Sequence, residues 1–261
     1  MIDGKSINAK DRCVNWIKHW FEENGKDCIA VIGISGGKDS TVAAGLLVEA
    51  LGKERVLGVL MPNGAQADIG DSYRVCEYLE IKYIEVNIGS TVSHLQTAIL
   101  SKGVELSDQT IINLPPRIRM ATLYAISQSV NGRVVNTCNF SEELVGYSTR
   151  WGDNVGDFSP LGSLLTDEVM AIGDALGLPY DLVHKIPSDG LCGKTDEDNL
   201  GFTYAQINEW ARTGSCGDKE VDKKISERVR KNSFKRASLS LPTFFTSQSY
   251  WREAALEYDY N

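Results

Sequence analysis

An apolar run at residues 28–34, Cys28-Ile29-Ala30-Val31-Ile32-Gly33-Ile34, leads straight into Ser35-Gly36-Gly37-Lys38-Asp39-Ser40 and then into a helical-looking run at 41–51. A buried strand, a tight turn of small residues and a helix start leave few architectures open. They aim backbone N–H groups and the positive end of a helix dipole at one point, which makes an anion site, most naturally for phosphate. Gly36 and Gly37 let the backbone come close to a ligand and adopt positive φ. Ser35 and Ser40 add hydroxyl donors. Asp39 is out of place in an anion site unless a cation lies between it and the phosphates, and a nucleotide-bound Mg2+ would supply one. Two commoner phosphate motifs fail here. A Walker A loop needs Gly where Ile32 stands and Ser or Thr where Asp39 stands. The dinucleotide pattern Gly-x-Gly-x-x-Gly is not present either.

The rest of the chain repeats the alternation. Residues 7–24 read as an amphipathic helix on Ile7, Val14, Ile17, Trp20 and Phe21. A second buried strand is expected at 55–61, a turn at 62–66, a helix at 68–79 and a third strand at 82–88. A helix at 93–101, a long helix at 117–130 and a fourth strand at 133–137 follow. Strands alternating with helices predict an α/β fold: a doubly wound parallel sheet with flanking helices, in a single domain. The whole chain, 1–261, is read as that domain, with the core sheet at about 25–190 and a C-terminal helical extension at about 200–261. Ligands in such sheets bind beyond the carboxyl ends of the strands. The phosphate loop, residues 62–66 and residues 137–142 all lie at such ends and are expected to converge on one crevice. A helix is predicted at 164–176, a lid-like polar loop at 187–201, and a charged helix with a solvated face at 218–233.

Net charge is −8, which disfavours a broad nucleic-acid face. The six cysteines form no Cys-x-x-Cys pair, so reduced packing thiols in a cytoplasmic protein are expected rather than a zinc or iron–sulfur site. No apolar run in the sequence is long enough to span a bilayer, and no signal peptide is expected. Asn139-Phe140-Ser141 matches a glycosylation sequon, read here as a chance match.

The Ser-Gly-Gly-Lys-Asp-Ser turn resembles the signature of the ATP pyrophosphatases, which cleave ATP between its α and β phosphates. Further segments resemble, in order, one branch of that superfamily, the ammonia-dependent NAD+ synthetases. They are Asn113 with Arg117, Arg119, Met120 and Tyr124; Thr137 with Glu142 and Gly146; Gly152-Asp153 with Asp157; Pro187-Ser188 with Thr195-Asp196-Glu197; and Lys235-Arg236. The resemblance spans about residues 5–240. It implies ATP-dependent amidation of deamido-NAD+ by ammonia through an acyl-adenylate, a C–N ligase reaction. It implies ATP contacts at Gly33, Ile34, Ser35, Gly36, Gly37, Lys38, Asp39, Ser40, Met61, Gln66, Thr137 and Ser188. Deamido-NAD+ contacts fall on Arg117, Arg150, Asp157 and Lys235, and Mg2+ ligands on Asp39 and Glu142, which are also the catalytic pair. Taken alone, Glu142 reads rather as an acid in the first turn of a helix, Ser141-Glu142-Glu143, and the two arginines read equally as surface charge.

Three positions depart from the family pattern. Thr166 stands where a phosphate-binding lysine is usual, Arg150 where a lysine is usual, and Phe234 where an aromatic-or-histidine position offers a donor. Lys38 or Lys185 is expected to compensate for Thr166. Ile2 follows Met1, so no N-terminal cysteine nucleophile for a glutaminase is expected, and free ammonia is the simplest nitrogen donor. The resemblance also implies a homodimer with deamido-NAD+ bound across the interface, for which helix 117–130 is the candidate. Neither a membrane nor a nucleic acid is an expected partner. Two rival readings share the phosphate loop: a tRNA-modifying ATP pyrophosphatase, and a nucleotide-binding sensor that has lost catalysis.

Overall fold

The computed structural model describes residues 4–185 and 195–236, with side chains from residue 9 onward. Four short strands form one parallel sheet: β1 (Ile29–Gly33), β2 (Val56–Leu60), β3 (Lys82–Glu85) and β4 (Gly132–Val134), in the order β3-β2-β1-β4. Val135 and Phe158 form a further parallel bridge beyond β4.

The pleat of β1 sorts its side chains between two layers. Ala30 and Ile32, with Ile34 beyond the strand, join a large core with α1 (Gly4–Asn24), α2 (Lys38–Leu51), α3 (Ile69–Tyr78), α7 (Thr166–Ala175) and α8 (Tyr180–Val183). Ile29 and Val31 face the opposite side, under α4 (Gly89–Leu100) and α5 (Asp108–Ser129). Helices on both faces of a parallel sheet make the fold doubly wound, as the alternating sequence predicts. A second, smaller core joins α6 (Phe140–Val145), α9 (Asp196–Leu200), α10 (Tyr204–Thr213) and α11 (Lys219–Arg236).

Several elements depart from the sequence reading. The stretch 187–201, expected as a lid-like loop, holds α9 at Asp196–Leu200, because Thr195 caps it by accepting the Asp198 N–H at 3.1 Å; residues 187–194 lie outside the described residues. The long helix begins at Asp108, well before Arg117, and runs through Pro115 and Pro116. Ser107 sets this start by accepting the Thr110 N–H at 3.2 Å. The two prolines are held by burial of Leu114 and Pro115, so packing outweighs the helix-breaking tendency. The charged C-terminal helix is not polar all round, since Ile225 and Val229 are buried in the second core.

β2 follows β1 on one side of the sheet, while β4 flanks β1 on the other. The chain therefore switches direction between β1 and β4, and a crevice opens beyond their carboxyl ends.

Candidate functional site

Two segments meet in this crevice. The first is the turn after β1. Ile34 N–H still pairs with Val59 O at 3.0 Å, and Gly36 then adopts φ 75. A Cβ on Gly36 would lie 2.7 Å from Asp71 Cβ and 2.9 Å from the Ser72 nitrogen, so the turn rests directly on the first turn of α3. Ser35 Oγ lies 3.0 Å from Ser40 Oγ and accepts the Gly37 N–H at 3.2 Å. Gly37 caps α2, and the first N–H with an intrahelical partner is that of Thr41. The N–H groups of Lys38, Asp39 and Ser40 thus open the helix without carbonyl partners inside it.

The second segment follows β4. Asn136 is buried and binds the Asp153 carbonyl at 3.0 Å and the Ser159 hydroxyl at 2.9 Å. Thr137, half-buried, leads to Asn139, which has no exposed surface. Asn139 caps α6 by accepting the Glu142 N–H at 3.1 Å, and its Nδ2 donates to Asp39 Oδ1 at 3.0 Å. A single amide thereby ties the helix start that carries Glu142 to the helix start that carries Asp39. Glu142 is an acid in the first turn of α6, as its local sequence predicts, and its charge interacts with that of Asp39.

Lys38 completes the cluster. Its ammonium lies 2.8 Å from Asp39 Oδ2 and 3.9 Å from Glu142 Oε1. Burial alone would lower its pKa, but the charges of Asp39 and Glu142 outweigh burial and hold it protonated. Burial, and then the charge of Asp39, pushes the Glu142 carboxyl well above its ordinary range, with Lys38 opposing. Two carboxyl groups share one ammonium.

The linking role of Asn139 depends on a contact with Asp39, one hundred residues away in sequence, which local pattern does not reveal. The usable signal was a cap residue followed at the third helical position by Glu142. Asp196 is also gathered here without having been assigned a role. It is buried, accepts from Tyr147 Oη and Tyr204 Oη at 3.2 Å each, and the Tyr204 ring centre lies 5.3 Å from Lys38 Nζ.

Other expected residues lie nearby in different settings. Met61 follows β2, and its carbonyl accepts from Arg119 Nε at 3.0 Å; Gln66 binds Asp68 at 2.9 Å. Lys185 bridges Asp68 and Asp71, at 3.2 and 2.7 Å, beside the Gly36 turn. Thr166 is buried behind the site, its N–H on Ser141 Oγ at 3.0 Å. Ser188 lies outside the described residues. Arg117 donates to the Arg150 carbonyl at 3.3 Å, and the Arg150 guanidinium covers the rings of Trp151 and Phe234. Trp151 holds a left-handed φ of 61, fixed by its N–H on Asn154 Oδ1 at 3.1 Å. Lys235 donates to the carbonyls of Gly146 and Ser148, both at 2.7 Å. Asp157 is committed to the sheet: Oδ2 accepts the Val134 N–H at 2.7 Å and Oδ1 lies 3.5 Å from Tyr124 Oη.

Comparison with known proteins agrees with this geometry. The family model of NAD synthase matches residues 9–239. An NH(3)-dependent NAD(+) synthetase of Pyrococcus furiosus is 38% identical over 200 residues, 76% of each chain. Among solved structures, the NMN synthetase of Francisella tularensis superposes with a TM-score of 0.82 at 30% identity, covering 93% of this chain and 100% of that one. The NH3-dependent NAD synthetase of Campylobacter jejuni does so with a TM-score of 0.72 at 28% identity, covering 92% and 99%. A phosphate-type loop after the first strand, two helix starts joined across the switch point by one asparagine, and a family match over nearly the full length lead to one assignment: this chain is a member of the NAD synthase family.

Proposed function

We propose that the chain joins ammonia to the nicotinate carboxylate of deamido-NAD+, consuming ATP and releasing NAD+, AMP and pyrophosphate. The observation that carries this reading is the meeting of the 35–40 turn with the Asp39–Glu142 pair at the switch point. A nicotinate oxygen attacks the α-phosphorus of ATP, and the bond from that phosphorus to the bridging oxygen breaks, releasing pyrophosphate. Ammonia then attacks the acyl carbon of the adenylate, AMP leaves with the C–O electron pair, and the nitrogen releases one proton to solvent to give the neutral amide. Both partners of the first step are anionic, so the site must supply positive charge and orientation more than a base.

The open N–H groups of Lys38, Asp39 and Ser40, with the hydroxyls of Ser35 and Ser40, are suited to cradle the polyphosphate. Gly33, Ile34, Gly36 and Gly37 supply the close backbone approach, and Met61, Gln66 and Thr137 border the nucleotide. The paired carboxyl groups, hard oxygen donors at the mouth of that cradle, fit a Mg2+ held by Asp39 and Glu142. When bound, that ion would neutralise phosphate charge. Arg117 and Arg150 adjoin each other and suit the phosphates of deamido-NAD+, with Lys235 on the same side. Asp157, tied to Val134 and Tyr124, serves the substrate by holding the end of β4. Exposed apolar side chains at Leu95, Leu100, Val104, Ile111 and Ile112 support a homodimer packed along α4 and the start of α5, ahead of the 117–130 stretch. The five unpaired cysteines among the described residues fit a reducing cytoplasm, and no helix of the described residues is long and apolar enough to cross a membrane.

The test is incubation with ATP, Mg2+, ammonium and deamido-NAD+, following pyrophosphate and NAD+. A parallel arm replaces deamido-NAD+ by nicotinate mononucleotide, since the Francisella neighbour is named an NMN synthetase. Pyrophosphate release that depends on deamido-NAD+ supports the proposal. Release only with the mononucleotide moves the substrate, and release only with tRNA, or none at all, refutes it.

A further inference from the structure

We propose that Lys38 makes divalent-cation binding at the Asp39–Glu142 pair conditional on nucleotide, by competing with the cation until polyphosphate draws the ammonium away. This rests on the Mg2+ reading of that pair given above. Lys38 opens α2 but is only 4% exposed. Its ammonium touches Asp39 and approaches Glu142, so the carboxylates that would hold the cation already have a positive partner. The Tyr204 ring covers the ammonium at 5.3 Å, and Tyr204 is fixed in turn by its hydroxyl on Asp196. Asp196 is held by the Tyr147 hydroxyl as well. Four elements, α2, α6, α9 and α10, thus seat one ammonium over two carboxyl groups.

A divalent cation bound by the same oxygens would meet that ammonium within a few ångströms. Charge repulsion there is several times stronger than in bulk water, because the site is largely shielded from solvent. The cation alone therefore binds weakly. Phosphates on the neighbouring N–H cradle offer Lys38 a new anionic partner, one side chain's reach away, and release the carboxylates. Cation and nucleotide then strengthen each other's binding, and by linkage the enhancement is equal in both directions.

Mn2+ provides the probe, with free ion counted by electron paramagnetic resonance, in the presence and absence of a non-hydrolysable ATP analogue. In the unaltered protein the analogue tightens Mn2+ binding at least tenfold. Lys38→Met, neutral and of similar length, binds Mn2+ alone at least tenfold more tightly than the unaltered protein, while Lys38→Arg does not. Lys38→Gln serves if the Met variant does not fold. The proposal is overturned if the analogue leaves Mn2+ affinity unchanged in the unaltered protein, or if neither neutral variant gains affinity. Asp39→Asn separates the two levels of the argument. If it abolishes Mn2+ binding while the neutral variants gain nothing, only the role of Lys38 fails. If it leaves Mn2+ binding intact, the cation site itself is wrong and both readings fall.

Discussion

Asn139→Ala removes the amide that joins the two helix starts, and its cost can be worked from the bonds lost. Loss of the cap on the Glu142 N–H costs about 1 kcal/mol. Loss of the charge-assisted bond to Asp39 Oδ1 costs about 2 kcal/mol, because the carboxylate stays where it was. The Thr166 hydroxyl, at 3.5 Å from Asn139 Oδ1, is too distant to add much. The expected loss is about 3 kcal/mol, or roughly 6–12 °C in melting temperature for a chain of this size. Asn139→Asp keeps the acceptor for Glu142 but sets a third carboxylate against Asp39, where a donor stood. At pH 8 it is at least as unstable as the alanine variant. The new carboxyl has a folded-state pKa raised by Asp39, so its penalty grows as pH rises from 5 to 8 and fades on acidification. Urea unfolding of both variants at several pH values, alongside pyrophosphate release, measures this. An alanine variant within about 1 kcal/mol of the unaltered protein, or an aspartate variant more stable than it at pH 8, refutes the linking role of Asn139.

Three more changes probe the site. Gly36→Ala forces a Cβ into positive φ and onto the α3 backbone; a conformational penalty of about 1–2 kcal/mol is expected, with a fall of order 100-fold in kcat/KM as the cradle shifts, both read by urea unfolding and steady-state kinetics. Glu142→Gln loses activity by roughly 100-fold or more yet gains stability at neutral pH. The Glu142 carboxyl is raised above its ordinary value of 4.5, so its ionisation costs stability as pH climbs through that range, and the gain in melting temperature should vanish toward pH 4. Thr166→Lys restores a cation behind Asn139 and is expected to lower the KM for ATP, at a cost of about 1–3 kcal/mol for crowding a buried position; an unchanged KM in a folded variant removes Thr166 from the account.

The strand–turn–helix at 28–51 was legible because each part is local: an apolar run, glycine in a turn and small residues opening a helix. The alternation that set the sheet was legible for the same reason. The start of α5 was not, because burial of Leu114 and Pro115 overrides a local proline signal. The contact of the Asp157 carboxylate with the Val134 N–H was not legible either, because strand packing sets it.

By itself the sequence determined the parallel α/β class, the tight glycine turn that opens α2 and the family, since these depend on short-range pattern and motif order. Tertiary structure alone decided which charges share a space. It brought Asp39, Glu142, Lys38 and Asp196 to one point from three distant segments and made Asn139 the joint between them. Electrostatic strength depends on separation and burial, and neither is written in the spacing of residues along the chain.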